Sequence, residues 1–230
     1  MNRWQNPHAQ RHAAAARLAR SLKLGAALRR KAREGLALGT FVIEQATPST
    51  LTLLALAGFD FAVIDMEHSV IDCSSLEPLL LAAQAAGMPA LVRIWGSEPG
   101  LIGKVLDMGA HGIMVPHVDS AQKTREVVEE ARFAPRGARG FSPIAKFDAF
   151  DRPLQALNDG TVVVVQIEGR DALQCVEQIS AVQGVDAIFV GPYDLSLSLG
   201  VQPGSPALFR HAQQIAAAVP EGVTMGIYVD

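Results

Sequence analysis

Glu168 and Asp194 are the residues in this chain that most resemble ligands for a hard metal ion. Each is a single carboxylate just beyond an apolar run, the first in VVVVQIE and the second in FVGPYD, and neither has a cysteine or an HxxxH pair nearby. Oxygen-only ligation suits Mg2+ or Mn2+, with Co2+ a further candidate, and leaves positions open for water and substrate. Either carboxylate could instead cap the helix that follows it, a role worth about 1 kcal/mol. His68, at the end of FAVIDMEH, has the residue type for acid–base work near neutral pH, or for a hydrogen-bonded structural role. Arg93 is the one basic residue inside an apolar run, PALVRI. A guanidinium there needs an anion, supplied by a substrate or by an internal carboxylate. His111 and His117 flank GIMVP without ligand partners at useful spacing and read as structural or rim residues. His8 and His12 do have HxxxH spacing but stand in a basic segment without further donors.

These residues sit at the ends of a regular alternation. The runs GTFVIE, FAVIDM, PALVRI, GIMVP, TVVVVQIE, DAIFVG and VTMGIYV are apolar on consecutive residues, as strands buried on both faces must be. Between them, helical spacing covers Ser49–Ala57, Ser74–Ala86, Glu98–Leu106, Ser120–Arg132, Asp171–Val182 and Ala207–Val219. Ser74 and Ser120 are placed as helix caps, and Gly58, Gly87, Gly109 and Gly184 as left-handed residues just past helix ends. Alternation of this kind makes a parallel sheet. No GxGxxG follows the first strand and no GxxxxGK[ST] occurs, so dinucleotide and P-loop sites lack their main support. A closed (β/α) barrel is the better architecture, with an open sheet of similar size the alternative.

In such a barrel the chemistry gathers at the C-terminal strand ends. There the sequence places Glu44, then Asp65, Glu67 and His68, then Arg93, Pro116 and His117, Gln166 and Glu168, Asp194, and finally Tyr228 and Asp230. Lys23, Lys31, Lys104, Lys123 and Lys146 fall on helices, loops or the N-terminal segment. A Schiff-base lysine in the pocket is therefore excluded, and an aldolase on this chain would need a metal as its electron sink.

The bulk properties agree with one enzyme-like domain. The formal charge of −3 gives no global reason to expect nucleic acid or membrane, and no apolar run approaches the roughly 20 residues that span a bilayer. Cys73 and Cys175 make no spaced motif, so a reducing cytoplasm is the expected compartment. Residues 1–37 form a basic, Ala- and Arg-rich arm, readable as a transit helix, an anion-binding arm or a solvated lead-in. Residues 38–230 form the barrel. The loop APRGARGFSP, Ala134–Pro143, reads either as a contact to an acidic substrate or neighbouring subunit, or as a solvated turn.

The stretches AGFDFAVIDMEHS, LVRI, VLDMGAHGIMVPHV, ARFAPRGARG, VVVQIEGRDAL and DAIFVGPYDLSLSLG, taken in this order, resemble the HpcH/HpaI aldolase family of the 4-hydroxy-2-oxoheptanedioate aldolase type. The resemblance implies a (β/α)8 TIM barrel of the phosphoenolpyruvate/pyruvate type, with the last βα unit lacking in this chain. It implies cleavage of a 4-hydroxy-2-oxo acid to pyruvate and an aldehyde through a metal-held pyruvate enolate. It makes Glu168 and Asp194 the metal ligands, His68 a base acting through water, Asp107 the acid that orients it, and Arg93 the group that stabilises the enolate. Gln166 becomes a substrate contact, and the backbone of Gly191, Pro192, Tyr193 and Asp194 the cradle for the pyruvate carboxylate. A homo-oligomer, by family a hexamer, is also implied.

The chain departs from the family pattern at Met66, where a small residue is common, and at Tyr193, where alanine is common. Tyr228 falls where the family shapes its aldehyde pocket. Other readings that fit are a citryl- or malyl-CoA lyase, against which His68 speaks, oxaloacetate decarboxylation, and an inactive barrel acting as an assembly module.

Overall fold

The computed structural model describes residues 23–96, 98–141 and 154–229. His8, His12, Arg11, Arg17, Arg20, Ser142, Pro143, Lys146 and Asp230 lie outside the described residues.

All seven apolar runs form strands of one parallel sheet, in the sequence order β1 to β7: β1 (Gly39–Val42), β2 (Phe61–Asp65), β3 (Ala90–Arg93), β4 (Gly112–Val115), β5 (Val162–Ile167), β6 (Ala187–Val190) and β7 (Thr224–Ile227). Helices follow the strands: α2 (Pro48–Leu56), α3 (Cys73–Ala86), α4 (Leu101–Asp107), α5 (Ala121–Ala131), α6 (Leu154–Gly160), α7 (Arg170–Gln174), α8 (Val176–Ser180), α9 (Pro192–Leu199) and α10 (Pro206–Ala218). A first helix, α1, is described over residues 23–34.

Strand side chains alternate between faces, and two cores result. Ala62 and Ile64 of β2, Val92 of β3 and Val163, Val165 and Ile167 of β5 meet the surrounding helices in the larger core. Val63, Leu91, Met114, Val162 and Val164 point the other way, into an inner core shared with Phe41, Phe61 and Phe189. The sheet is curled around that inner core. The ring of Phe41 on β1 reaches Phe189 on β6 at 6.1 Å and Tyr228 beyond β7 at 5.9 Å. Glycines leave room for the large rings. A Cβ on Gly39 would stand 2.4 Å from the Phe61 ring, and one on Gly226 would stand 2.8 Å from Phe189.

The N-terminal end of the curled sheet is closed by α1. Leu28 is buried in the inner core, and a Cβ on Gly25 would stand 2.0 Å from the Gly160 carbonyl oxygen. Arg29 donates to the Asp159 carbonyl at 2.8 Å and to Asp186 Oδ2 at 3.1 Å. Arg132, just past α5, donates to the same oxygen at 2.9 Å, and Val163 N adds a third bond at 2.9 Å. Burial depresses the pKa of Arg132 and Asp186 opposes that shift, so the carboxylate is what makes a buried guanidinium tolerable here.

The local expectations mostly match. Gly58, Gly87, Gly109 and Gly184 have positive φ, and Ser120 caps α5 by accepting from Lys123 N. The cap of α3 is Asp72 rather than Ser74, because Asp72 and Ser75 form a reciprocal capping box that starts the helix two residues earlier than expected. The expected helix over Asp171–Val182 breaks at Cys175 into α7 and α8. Helices α6 and α9 have no counterpart among the expected helices.

Removing the carboxylate at the closed end should be costly. Asp186→Ala is expected to lower unfolding free energy by about 3–5 kcal/mol, since it strands two guanidinium groups. Lys31→Ala, which removes a surface partner of Asp60, should cost less than about 1 kcal/mol. Denaturant midpoints of the two variants would check the contrast; similar losses would contradict it.

Candidate active site

The inward alternation that builds the inner core continues past it to the C-terminal strand ends and turns polar. On β2 the sequence Phe61, Val63, Asp65 runs inward, and on β3 Leu91 is followed by Arg93. Asp65 and Arg93 are register partners on neighbouring strands. The guanidinium grips the carboxylate with both arms, Nε to Oδ1 at 2.8 Å and Nη2 to Oδ2 at 2.5 Å. Asp65 Oδ1 also accepts from Glu67 N at 3.0 Å and His68 N at 3.4 Å, and the Ser69 hydroxyl donates to its main-chain oxygen. One buried carboxylate thus sets the guanidinium and the turn that carries Glu67 and His68.

Behind this pair lies a second group. Glu168 follows β5 and is buried, with Oε1 accepting from His117 N at 2.5 Å and Oε2 accepting from Gln166 Nε2 at 3.0 Å. The His117 ring stands between two carboxylates, Nδ1 at 3.1 Å from Glu168 Oε1 and Nε2 at 3.2 Å from Glu67 Oε1. His117 holds a φ of +54°, unusual for a residue with a Cβ. That conformation turns its N–H and its ring toward the same glutamate. Gln166 Oε1 is buried without a hydrogen-bond partner, and a Cβ on Gly191 would stand 2.6 Å from Glu168 Oε2. The backbone before α9 therefore presses against the glutamate, which only glycine permits.

The open cleft in front of these groups has a volume of about 440 Å³. His68, Arg93, Gln166, Gly191, Pro192, Tyr193 and Asp194 line it, with aromatic residues completing the wall. Of the residues expected at the site, these seven come together. Glu168 lies behind the cleft lining rather than on it. Asp107 is the last residue of α4, is absent from the lining, and accepts from Arg139 Nη2 at 2.5 Å. His68 has Glu67 as its near acidic neighbour, at 3.7 Å. His111 is buried, and its Nδ1 accepts from Ala90 N at 3.1 Å at the start of β3.

The sequence places Asp65, Glu67 and His117 at the strand ends, gives the two carboxylates no separate role and reads His117 as a structural or rim residue. Parity along β2 carries the missing signal, since Phe61, Val63, Asp65 and Glu67 are alternate residues. The sequence places His117 at the exit of β4, but the direction of its ring depends on the left-handed turn.

The electrostatics are unbalanced. Burial raises the pKa of Glu168; the His117 N–H and ring lower it, and Glu67 and Asp194 raise it again. Burial likewise raises Glu67, against the opposing pull of Arg93, His68 and His117. Burial disfavours the charge on Arg93 too, but Asp65, Glu67 and Glu168 outweigh it and keep its pKa above the ordinary value. One guanidinium faces Asp65, Glu67 and Glu168, and Asp194 adds a further carboxylate near Glu168. Oxygen atoms of Glu168, Asp194 and Gln166 are the donors available to a cation. Among the described residues no group of three His, Cys, Asp or Glu side chains is placed to hold a metal ion by itself, so water or substrate would have to supply further ligands.

Residues 38–228 match the family described as HpcH/HpaI aldolase/citrate lyase. The chain belongs to this family. Two similar relatives are sugar-acid aldolases. The 2-dehydro-3,6-dideoxy-6-sulfogluconate aldolase of Pseudomonas putida is 38% identical over 178 residues, 76% of this chain and 69% of that protein. The 5-keto-4-deoxy-D-glucarate aldolase of Klebsiella pneumoniae is 36% identical over 189 residues, 79% of this chain and 73% of the relative. A solved HpcH/HpaI aldolase/citrate lyase family protein from Burkholderia cenocepacia superposes with a TM-score of 0.81 at 33% identity, covering 88% of this chain and 84% of its own. Among the described residues no helix is long and apolar enough to cross a membrane.

The unbalanced charge has a sign that can be measured. Glu67 and Glu168 bind protons more tightly folded than unfolded, so their contribution makes stability fall as pH rises through their folded-state range. In the presence of a chelator, Glu168→Gln should flatten that fall and be at least as stable as the parent chain at pH 8. Thermal unfolding followed from pH 5 to pH 8 would test this; a steeper loss in the variant would contradict it.

Proposed function

We propose that this member of the family is a divalent-metal-dependent pyruvate aldolase of class II type. It would cleave a 4-hydroxy-2-oxo acid to pyruvate and an aldehyde on a barrel of the phosphoenolpyruvate/pyruvate type. The observation that carries the reading is a buried, carboxylate-oriented Arg93 beside an excess of carboxylates, in a cleft whose described lining contains no lysine. A lysine-free cleft does not favour Schiff-base chemistry. The sugar-acid aldolases among the relatives support the same reaction class.

Glu168 and Asp194 would hold the cation, with the unpartnered Gln166 Oε1 facing the same end of the site. Four carboxylates against one guanidinium fit an added positive charge. When bound, a divalent cation supplies Lewis-acid polarisation of the 2-oxo group.

The protein's own groups do the rest. The first turn of α9, which opens at Gly191 without a side-chain cap, directs its N–H groups and helix dipole at the substrate carboxylate. His68, exposed at the mouth of the cleft, takes the proton from the 4-hydroxyl directly or through water. The C3–C4 bond then breaks, its electron pair passes to the C2–C3 unit of the pyruvate fragment, and C3 later accepts a proton. Negative charge grows on the 2-oxygen as this happens. Arg93, already held by Asp65, stabilises it without having to reorganise.

Pyruvate release, coupled to lactate dehydrogenase, tests the reading. Release from a 4-hydroxy-2-oxo acid should require Mg2+ or Mn2+ and vanish in Glu168→Ala. Arg93→Ala should lower kcat by roughly 10²–10³-fold with a much smaller change in KM, and Arg93→Lys should recover only part of the loss. Release without any divalent ion, or equal small effects on kcat and KM in Arg93→Ala, would overturn the assignment.

A further inference from the structure

Glu168 offers two oxygens, and their surroundings differ. Oε1 is covered by one residue, His117, which donates its backbone N–H at 2.5 Å and sets its ring Nδ1 3.1 Å away. Oε2 accepts from Gln166 Nε2 at 3.0 Å and lies beneath Gly191, where a Cβ would stand 2.6 Å from it. Gln166, Gly191 and Asp194 line the cleft, and His117 is absent from the lining. One oxygen of the glutamate is therefore turned toward the cleft and toward Asp194, and the other is covered on the far side.

His117 is held in that place by its neighbours. Lys123 Nζ, on α5, donates to its carbonyl oxygen at 2.8 Å. The far ring nitrogen, Nε2, stands 3.2 Å from Glu67 Oε1, and Glu67 Oε2 is in turn 3.4 Å from Arg93 Nε. The φ of +54° lets the N–H and the ring reach the same oxygen. A left-handed backbone is disfavoured for a residue with a Cβ and persists only where the surroundings hold it. Here they hold a turn whose effect is to close Oε1.

The number of oxygens a carboxylate presents bears on which cation it suits. Ca2+ takes about six to eight oxygens in a flexible shell and often engages both oxygens of one carboxylate. Mg2+ is smaller and demands a near-octahedral shell, which the narrow bite of a two-oxygen carboxylate distorts. A glutamate with one oxygen covered fits the second ion better than the first.

We propose that His117 is a positioning residue that makes Glu168 a one-oxygen ligand and so selects small octahedral cations such as Mg2+ over Ca2+. The inference rests on the reading that Glu168 holds the cation, and adds the group that decides which cation is accepted. It requires no change in the charge of the imidazole, because the N–H and the bulk of the ring together close Oε1.

Isothermal titration calorimetry of the full chain with Mg2+ and with Ca2+, pyruvate being present in both, tests the selectivity without turnover. His117→Gly removes the ring, keeps the N–H and is at ease at this backbone angle; the His117 side chain is 60% exposed, so no core is opened. The parent chain should bind Mg2+ at least as tightly as Ca2+. In His117→Gly the ratio of the two affinities should move toward Ca2+ by about fivefold or more, chiefly through tighter Ca2+ binding. His117→Asn, which also tolerates the left-handed region but keeps a polar side chain, should show a smaller shift. A mere change of charge or packing near the site would alter both affinities alike, so the ratio is the readout. Circular dichroism confirms that each variant is folded, and Glu168→Ala should abolish binding of both ions. A parent chain that prefers Ca2+, or a ratio that stays put or moves toward Mg2+ in His117→Gly, overturns the role of His117 and leaves Glu168 as the ligand. Binding of neither ion by the folded parent chain, or binding that survives Glu168→Ala, overturns both.

Discussion

The bidentate contact between Asp65 and Arg93 is the interaction on which the site depends. It joins two strands at register-paired positions, so the backbone ladder brings the groups together before any side chain is oriented. Buried among carboxylates, the guanidinium gains from low dielectric what it loses in hydration, and Asp65 fixes the plane in which it is presented. The same carboxylate holds the backbone of residues 67 and 68. An aspartate here therefore positions one group directly and two through the turn.

The two ends of the sheet use the same residue types in opposite proportions. At the closed end a single carboxylate, Asp186, is bracketed by Arg29 and Arg132, with Arg33 at 3.9 Å. Positive charge is in excess there, and the carboxylate ties the surrounding guanidinium groups to β5 and β6. At the open end a single guanidinium faces several carboxylates, two of them held above their ordinary pKa by burial. That end carries an excess of negative charge, which a bound cation would offset.

Much of this was legible in the sequence. The strands could be read because a parallel sheet covered on both sides demands consecutive apolar residues, and the seven runs supply them. Glu168, Asp194, Arg93 and His68 could be singled out because polar residues at the ends of such runs have few other reasons to be there. Helix α9 was hidden because GPYD reads as a turn, although Pro192 stands at a first helical position. Asp65 and Glu67 were legible as polar residues at the end of β2, and side-chain parity along the strand assigns them to the inner face with Val63. His117 could be placed at the end of β4, but its two carboxylate partners could not be read. Its place between Glu67 and Glu168 follows from a left-handed backbone angle and from contacts between β4 and β5 exits that no local pattern encodes.

The most direct test of this account is the rate of pyruvate release by Asp65→Asn, a substitution that keeps shape and removes the charge. With folding verified by circular dichroism and the divalent ion present, kcat is expected to fall by about 10²-fold or more with little change in KM, because Arg93 loses the partner that aims it. A folded Asp65→Asn protein that releases pyruvate at the parent rate would show that the pair does not organise the chemistry.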